Sequence, residues 1–265
     1  MGERVQGKVA VVFGGGQTPG ETIGNGRATC LLLADEGATV VVVDRDLASA
    51  QDTVALVAER GGKAEALAAD ITNEDQVKRA IDAVVAKHGR IDILHNNVGA
   101  SLALGDATAT ELESSAFDRL VAVNLRGMWY ACKHALPAMR AQGSGSIVNI
   151  SSMAARSAYP YLGYKTTKAA VIAMTENLAA ANARYGVRVN VILPGLMNTP
   201  MAIEARVAAG TPREEVIAGR DRQVPLGRKM GSGWDTAYAA LFLHSDEAKF
   251  ITGVSLPVDG GASVS

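Results

Sequence analysis

The chain has 265 residues, of which 48% are hydrophobic and 20% are charged, and this composition excludes a disordered or fibrous protein. Its length suits one large α/β domain, so we expect a single domain over residues 1–265. The 26 basic and 27 acidic residues give a formal net charge of −1 without any basic run, which excludes a nucleic-acid partner bound by a basic surface.

Cysteine usage and hydropathy indicate the compartment. Cys30 and Cys132 are too few for a disulfide framework and favour a reducing compartment. The start of the chain lacks the long apolar region of a secretory signal, and charge-free stretches such as 189–203 are too short to span a membrane. We therefore expect a cytoplasmic protein without membrane contact. The four histidines do not fall at metal-ligand spacing with either cysteine, so no metal site is expected.

Short β-branched runs alternate with longer Ala-rich stretches of helical periodicity along the whole chain. In chain order, the predicted elements are the strand Val9–Phe13, the helix Asn25–Glu36, the strand Thr39–Val43, the helix Asp46–Arg60, the strand Lys63–Ala68, the helix Asn73–His88, the strand Ile91–His95, the helical region Ser114–Arg140, the strand Ser146–Ile150, the helix Tyr164–Tyr185, the strand Val187–Leu193, the helix Gly233–His244 and the strand Ser255–Val258. This alternation predicts an α/β fold with a doubly wound parallel sheet and helices on both faces. Such a sheet binds its ligands at the carboxyl ends of the strands.

The first predicted strand leads into a glycine-rich turn over residues 14–26. Glycine lets the backbone turn sharply and approach a pyrophosphate at the N-terminus of the next helix. Asp44 ends the second strand, 20 positions after Gly24, where a carboxylate can accept hydrogen bonds from an adenosine ribose and repel a 2′-phosphate. The alternative is that Asp44 only caps the helix beginning near Asp46. The pattern predicts a dinucleotide site that prefers NAD over NADP.

Tyr164 and Lys168 are spaced i and i+4, which places a phenol and an ammonium group on one face of a helix. A free tyrosine has a pKa near 10, and a nearby positive charge moves that pKa toward the working range of a proton carrier. The structural alternative is an exposed amphipathic pair. Ser151 and Ser152 follow the strand Ser146–Ile150, at the end where a doubly wound sheet presents its site.

These features and several further motifs resemble the short-chain dehydrogenase/reductase family over essentially the whole chain. The matching positions are Gly15, Gly24 and Gly26 of the glycine fingerprint, Asn96–Gly99, Asn124, Ser152, Tyr164 with Lys168, Pro194–Met201, and the ending 250–261. The resemblance implies a Rossmann-type fold, a nicotinamide cofactor and transfer of a hydride between an alcohol and a ketone.

The resemblance also implies a role for each matched residue. Tyr164 is the general acid/base, and Lys168 lowers its pKa and holds the nicotinamide ribose. Ser152 hydrogen-bonds the substrate oxygen, and Asn124 supports a water relay behind Lys168. The residues expected to bind the cofactor are Gly15, Ile23, Gly24, Asp44, Arg45, Asp70, Ile71, Asn97, Gly99, Tyr164, Lys168, Pro194, Gly195, Leu196, Thr199 and Met201.

The chain departs from the family pattern at two places. The turn between Gly15 and Gly24 is longer than in the family, so Ile23 and Gly24 are the expected pyrophosphate contacts rather than Gly16 or Gly20. Ser151 has the usual spacing to Tyr164, whereas Ser152 aligns with the second serine after the strand. Ser152 is preferred, and Ser151 remains the alternative.

The leading functional hypothesis is an NAD-dependent dehydrogenase of a secondary alcohol, or reductase of a ketone, acting as a homotetramer. The alternatives are a lyase or dehalogenase that uses the serine–tyrosine pair without a nicotinamide, and a cofactor-binding protein without catalysis. A substrate lid is expected over about 196–230. The sequence does not determine which substrate is used, and the candidates are a simple secondary alcohol, a cyclic diol, a steroid, a sugar and an acyl ketone. Arg156 and Arg206 are possible contacts for an anionic group.

Overall fold

A computed structural model of the protein describes residues 2–265. Its strands are β1 (Val9–Phe13), β2 (Thr39–Asp44), β3 (Lys63–Ala68), β4 (Ile93–Asn96), β5 (Gly145–Ile150), β6 (Val187–Pro194) and β7 (Ser255–Val258). Within the described range these seven strands form one parallel sheet in the order β3-β2-β1-β4-β5-β6-β7. The predicted doubly wound parallel sheet is confirmed.

Helices connect the strands and cover both faces of the sheet. They are α1 (Asn25–Asp35), α2 (Leu47–Glu59), α3 (Glu74–His88), α4 (Ser114–Val121), α5 (Gly127–Gln142), α6 (Leu162–Asn182), α7 (Pro200–Ala208), α8 (Arg213–Asp221) and α9 (Gly233–His244). Alternate side chains of β1 face opposite ways, as a strand requires. Val11 and Phe13 belong to the core beneath α3 and α5, whereas Ala10 and Val12 belong to the core beneath α1, α2 and α9. Because both faces are buried, the inner strands are apolar throughout.

The chain reverses its direction of travel across the sheet between β3 and β4. After β3 it crosses back over β2 and β1, so β4 lies beside β1 with Phe13 opposite Asn96. The carboxyl ends of β1 and β4 therefore meet, and this is where an open α/β sheet forms its ligand crevice. The amide Nδ2 of Asn97 donates to the Gly14 carbonyl oxygen at 3.0 Å, which joins the segment after β4 to the glycine-rich turn.

Several predicted bounds shift by one to three residues: β4 is Ile93–Asn96 rather than Ile91–His95, and α6 is Leu162–Asn182 rather than Tyr164–Tyr185. Two regions differ in kind from the sequence prediction. The predicted helical region Ser114–Arg140 is helical but contains a π-helical turn, Ala122–Arg126, between α4 and α5. The predicted lid contains two short helices, α7 and α8, which the sequence analysis had not identified as helices. Pro200 begins α7 and Pro212 is the N-cap of α8, so both helices start at residues that favour the first turn.

None of the helices within residues 2–265 is long and apolar enough to cross a membrane.

Candidate active site

Helix α6 places Tyr164 and Lys168 at the carboxyl edge of the sheet. Tyr164 is 9% exposed and Lys168 is 1% exposed. The Lys168 ammonium group donates to the carbonyl oxygen of Ile150, the last residue of β5, at 2.8 Å, and it lies 5.7 Å from the centroid of the Tyr164 ring. The predicted pair therefore faces the sheet rather than the solvent, and the exposed amphipathic alternative is wrong.

The two serines after β5 have different surroundings. The Ser151 hydroxyl is buried and donates to the Lys168 carbonyl oxygen at 2.6 Å. The Ser152 hydroxyl accepts from the Ala154 amide at 3.1 Å and lies beside the Tyr164 side chain, whose pKa it lowers. Ser152 is thus the serine beside the phenol, and Ser151 fixes the backbone of α6.

Burial shifts the ionisation of both groups on α6. It raises the pKa of Tyr164 to about 12, and the Ser152 hydrogen bond offsets this only in part. Burial also lowers the pKa of Lys168 to about 8. The spacing of Tyr164 and Lys168 predicts that the ammonium group lowers the pKa of the phenol below its ordinary value. That expectation is not met, because burial removes the phenol from water and so disfavours the phenolate.

Asn124 lies in the π-helical turn and is fully buried. Its side-chain oxygen accepts from the Ala100 amide at 2.8 Å, and its nitrogen donates to the Ala100 carbonyl at 2.9 Å and to the Thr167 hydroxyl at 3.3 Å. A Cβ atom at Gly99 would come within 2.7 Å of the Lys168 ammonium nitrogen. The segment after β4 thus approaches α6 closely, and Asn124 connects the two.

Asp106 is a site residue that the sequence analysis missed. Its buried carboxylate accepts from the amides of Gly163 and Tyr164, at 2.9 Å and 3.0 Å, in the first turn of α6. It also accepts from the Ser101 hydroxyl at 2.9 Å. The N-cap position of α6 is Tyr161, whose side chain makes no capping bond among the described residues. A tyrosine at that position was the available sign that an acceptor comes from elsewhere.

The Asp44 carboxylate lies at the end of β2 beside the glycine-rich turn. It accepts from the amide of Gly16 at 3.0 Å and from the amide of Asp46 at 3.2 Å. The cap of α2 is Asp46, which accepts from the amides of Ala48 and Ser49. The alternative role of Asp44 as the cap of that helix is therefore wrong, and its half-buried carboxylate borders the turn.

The longer turn packs on the lid helices. The amide of Gly24 donates to the Gln17 side-chain oxygen at 2.8 Å, so Gln17 occupies the donor expected to meet a pyrophosphate. Glu21 forms an ion pair with Arg213 of α8 at 3.4 Å, and Arg213 also binds Glu204 of α7 at 2.7 Å. A Cβ atom at Gly20 would lie 2.7 Å from the Glu204 carboxylate oxygen. The insertion therefore joins the turn to the lid.

The residues at this edge fit a dinucleotide. Gly24 is the N-cap of α1 and has no side chain, which leaves the first amides of the helix open to an anion. Within residues 2–265, the buried Oδ1 atoms of Asn25 and Asn198 have no hydrogen-bond partner. Asn25 begins α1 and Asn198 follows β6, so these two atoms mark the glycine-rich turn and the β6 end of the crevice.

The other residues expected to bind the cofactor follow β2, β3 and β6. Arg45 is exposed after β2. After β3, the Asp70 carboxylate accepts from the Thr72 amide at 2.8 Å, and Ile71 is buried in the core beneath α3 and α5. After β6, the Gly195 amide donates to the Val258 carbonyl, and the Leu196 carbonyl accepts from the Gly231 amide. Thr199 stands at the N-cap position of α7 without a side-chain capping bond, and Met201 is 49% exposed.

Metal and thiol chemistry have no visible place in the part of the chain that the structure describes. No group of three or more His, Cys, Asp or Glu side chains in residues 2–265 could hold a metal ion. Cys30 and Cys132 are buried free thiols, and burial raises the pKa of both. A buried thiol of raised pKa is a poor nucleophile.

Comparison with known proteins extends this description. A family model described as enoyl-(acyl carrier protein) reductase matches residues 21–263. The 2,5-dichloro-2,5-cyclohexadiene-1,4-diol dehydrogenase LinX of Sphingobium indicum is 38% identical over 267 aligned residues, which cover 100% of this chain and 99% of LinX.

Solved structures agree. A protein from Burkholderia xenovorans described as a short-chain dehydrogenase/reductase superposes with a TM-score of 0.94 at 41% identity, covering 99% of each chain. Carveol dehydrogenase from Mycobacterium avium, solved in complex with NAD, superposes with a TM-score of 0.90 at 28% identity, covering 99% of this chain and 100% of the other.

Replacing Asp106 tests whether its carboxylate holds the first turn of α6. We expect Asp106→Ala to lower the free energy of unfolding by about 2 kcal/mol, because two buried amides lose their acceptor. Urea denaturation measures the loss. Asp118→Ala, at an exposed position on α4, is the matched control and should change stability little. Equal losses in the two variants would contradict the assignment.

Proposed function

The chain belongs to the short-chain dehydrogenase/reductase family of oxidoreductases, and we propose that it uses NAD to interconvert a secondary alcohol and a ketone. One observation carries the proposal. The Tyr164 phenol, the Ser152 hydroxyl and the Lys168 ammonium group meet at the carboxyl edge of β5, on the same edge of the sheet as the glycine-rich turn. LinX and carveol dehydrogenase are both named as dehydrogenases of an alcohol, and the latter was solved with NAD.

Tyr164 is the group that transfers a proton to or from the substrate oxygen. In the reductive direction its phenol gives the proton to the carbonyl oxygen, and in the oxidative direction the phenolate takes it from the hydroxyl group. Ser152, beside the phenol, donates a hydrogen bond to the same substrate oxygen. Burial favours the protonated phenol, which suits it to act as the acid in reduction. A nicotinamide held at this site would supply the hydride acceptor for oxidation of the alcohol carbon and, in its reduced form, the hydride donor for reduction.

The remaining residues of the proposed site orient the reactants. Lys168 holds the nicotinamide ribose with its ammonium group, and Asn124 supports a water relay behind it. The glycine-rich turn and the start of α1 hold the pyrophosphate, and Asp44 accepts hydrogen bonds from the adenosine ribose. The four residues Asn124, Ser152, Tyr164 and Lys168 are all present, which argues against a non-catalytic protein. The Asp44 carboxylate beside the turn argues against a lyase without a nicotinamide.

We also propose a domain organisation, a compartment and an oligomeric state for the protein. Residues 1–265 form one catalytic domain with a substrate lid over about 196–230, in a cytoplasmic homotetramer. Family resemblance supports the tetramer, as do the exposed Trp129 on α5 and Leu162 on α6, because these long helices would supply the interface. The small number of cysteines supports the reducing compartment.

Removing the phenol tests the reaction and its acid/base group together. Wild type is expected to oxidise NADH with members of a panel of cyclic and acyclic ketones, followed by absorbance at the nicotinamide band. Tyr164→Phe should lower turnover by about 10²–10⁴-fold and leave NAD binding nearly unchanged, because the phenol is not the main cofactor anchor. Lys168→Met should lose both activity and NAD affinity. A Tyr164→Phe protein with near-normal turnover would end this mechanism.

Changing Asp44 tests the choice of cofactor. We expect wild type to have a higher kcat/KM with NAD than with NADP, because the carboxylate repels the 2′-phosphate. Asp44→Ala should narrow that gap, while Asp52→Ala, at an exposed position on α2, should leave it unchanged. Arg45 is the residue that could pair with the phosphate of NADP. Equal or better efficiency of wild type with NADP refutes the preference.

The raised pKa of Tyr164 predicts opposite pH dependences for the two directions. Oxidation needs the phenolate, whose fraction rises about tenfold per pH unit below the pKa. Reduction needs the protonated phenol, which is the main form below the pKa of about 12 in the protein alone. Oxidation should therefore speed up from neutral pH to about pH 9, and reduction should not need alkali. Steady-state rates in both directions check this, and an oxidation rate that falls over that range argues against it.

A further inference from the structure

Two tyrosines lie side by side at the proposed site. The ring of Tyr159, in the loop between β5 and α6, has its centroid 5.7 Å from that of Tyr164, with the two planes tilted by 45°. Tyr161 packs edge-on against Tyr159, with centroids 5.6 Å apart. These separations are those of aromatic rings in contact. Tyr159 therefore contacts both tyrosines at the start of α6.

The Tyr159 hydroxyl is attached to the segment after β4. It lies 3.2 Å from the Ser101 hydroxyl, which donates to the Asp106 carboxylate at 2.9 Å. The same carboxylate accepts from the amides of Gly163 and Tyr164, at 2.9 Å and 3.0 Å. One buried carboxylate thus holds the backbone of Tyr164 directly and the side chain of Tyr159 through Ser101.

The direction of these hydrogen bonds shows which of the two phenols is available to give up a proton. A carboxylate only accepts, and a serine hydroxyl carries a single hydrogen. Because the Ser101 hydrogen goes to Asp106, the hydrogen between the two hydroxyls comes from Tyr159. Burial raises the pKa of Tyr159, which keeps that hydrogen in place. Tyr159 is therefore tethered as a donor and is not a second proton source for a substrate.

The loop that carries Tyr159 is also attached to α6. Lys165 of this helix donates to the carbonyl oxygen of Ala154 at 3.2 Å and to that of Ser157. The loop is thus fastened to the helix that carries Tyr164, so the two rings keep their relative position.

Backbone hydrogen bonds fix where the Tyr164 side chain starts, but the side chain can still rotate about its own torsions. In a close-packed interior the neighbouring side chains limit that rotation. We propose that Tyr159 is a positioning residue for the reaction: its ring, tethered through Ser101 to Asp106, holds the Tyr164 ring in one orientation. The inference rests on the proposed function for its effect on turnover, since a general acid acts only when it is held close to the substrate oxygen.

The motion of the Tyr164 ring is measured first, without turnover. The full-length protein is isotope-labelled in its 6 tyrosines, and Tyr164→Phe assigns the signals of this ring. Exchange measurements by NMR give its flip rate. Tyr159→Leu should raise that rate at least about tenfold, because the loss of a packing neighbour lowers the barrier to rotation. Tyr161→Phe, which removes a hydroxyl without a hydrogen-bond partner within residues 2–265, is the matched control and should leave the rate unchanged.

The tether is measured in the same way with Tyr159→Phe, Ser101→Ala and the double variant. Each single variant removes the same hydrogen bond and keeps both rings, so both should raise the flip rate by a similar factor of about two- to tenfold. The double variant should be no faster than either, because no bond is left to remove. Both single variants keep the Tyr159 ring, so they test the proposal even where Tyr159→Leu does not fold.

Turnover is measured second, with NADH and the ketones of the panel. Tyr159→Leu should lower kcat about ten- to hundredfold, the effect of a small misplacement of a reacting group, and should change KM less than about threefold. Tyr159→Phe restores the ring and should recover most of that kcat. Tyr161→Phe should match wild type. Melting temperatures and NAD affinities are recorded for every variant.

The outcomes separate the two proposals. A flip rate that Tyr159→Leu leaves unchanged, or effects of Tyr159→Phe and Ser101→Ala that add in the double variant, overturn the tethered positioning role and leave the oxidoreductase function standing. A raised KM with an unchanged kcat also overturns it, because Tyr159 would then contact the substrate rather than orient Tyr164. The expected flip rates without turnover of any ketone by wild type support the positioning of the ring and count against the proposed function.

Discussion

The buried ammonium group of Lys168 is the constraint around which the site is arranged. It is 1% exposed, donates to the Ile150 carbonyl oxygen, and has no carboxylate ion pair within residues 2–265. A buried charge without an opposite charge disfavours its own ionised form, which is why the pKa falls to about 8. The surrounding chain makes room for it. Gly99 lacks the Cβ atom that would collide with the ammonium group, and Ser151 fixes the backbone at Lys168 itself.

The position of α6 relative to the sheet follows from hydrogen bonds between side chains and backbone. Asp106 holds the first turn of the helix from the segment after β4, and Ser151 holds its second turn from the end of β5. Asn124 ties the same segment after β4 to Thr167. These bonds come from three separate parts of the chain and converge on one helix. A shift of any one of them would move the phenol and the ammonium group together, because both are attached to that helix.

Elements whose ends depend on neighbouring residues could be predicted from the sequence. Features that depend on residues distant in the chain could not. The bounds of β1, β3, β7 and α9 were predicted as observed. Gly14 ends the apolar run of β1, Asp259 ends that of β7, and Ser232 and Ser245 flank α9. The π-helical turn was not predictable, since its residues suit an α-helix, and the bonds that Asn124 of this turn makes to Ala100 join it to a segment 24 residues earlier in the chain. The spacing to Tyr164 alone did not decide whether Ser151 or Ser152 is the serine of the site. Only the surroundings of the two hydroxyls distinguish them. Likewise, the acceptor for the start of α6 lies 57 residues earlier in the chain, beyond any local pattern.

The arginines of the lid differ in how their charges are paired. Arg213 has two carboxylates, Glu204 on α7 and Glu21 in the glycine-rich turn, and these ion pairs connect the lid helices to the turn. Partly exposed ion pairs of this kind add little stability but fix relative positions when several share one guanidinium group. Arg206 and Arg220 have no carboxylate ion pair within residues 2–265, although the Asp221 carboxylate acts on the charge of Arg220. The insertion that lengthens the turn therefore takes part in the packing of the lid, since its Glu21 and Glu204 of α7 share the Arg213 guanidinium group.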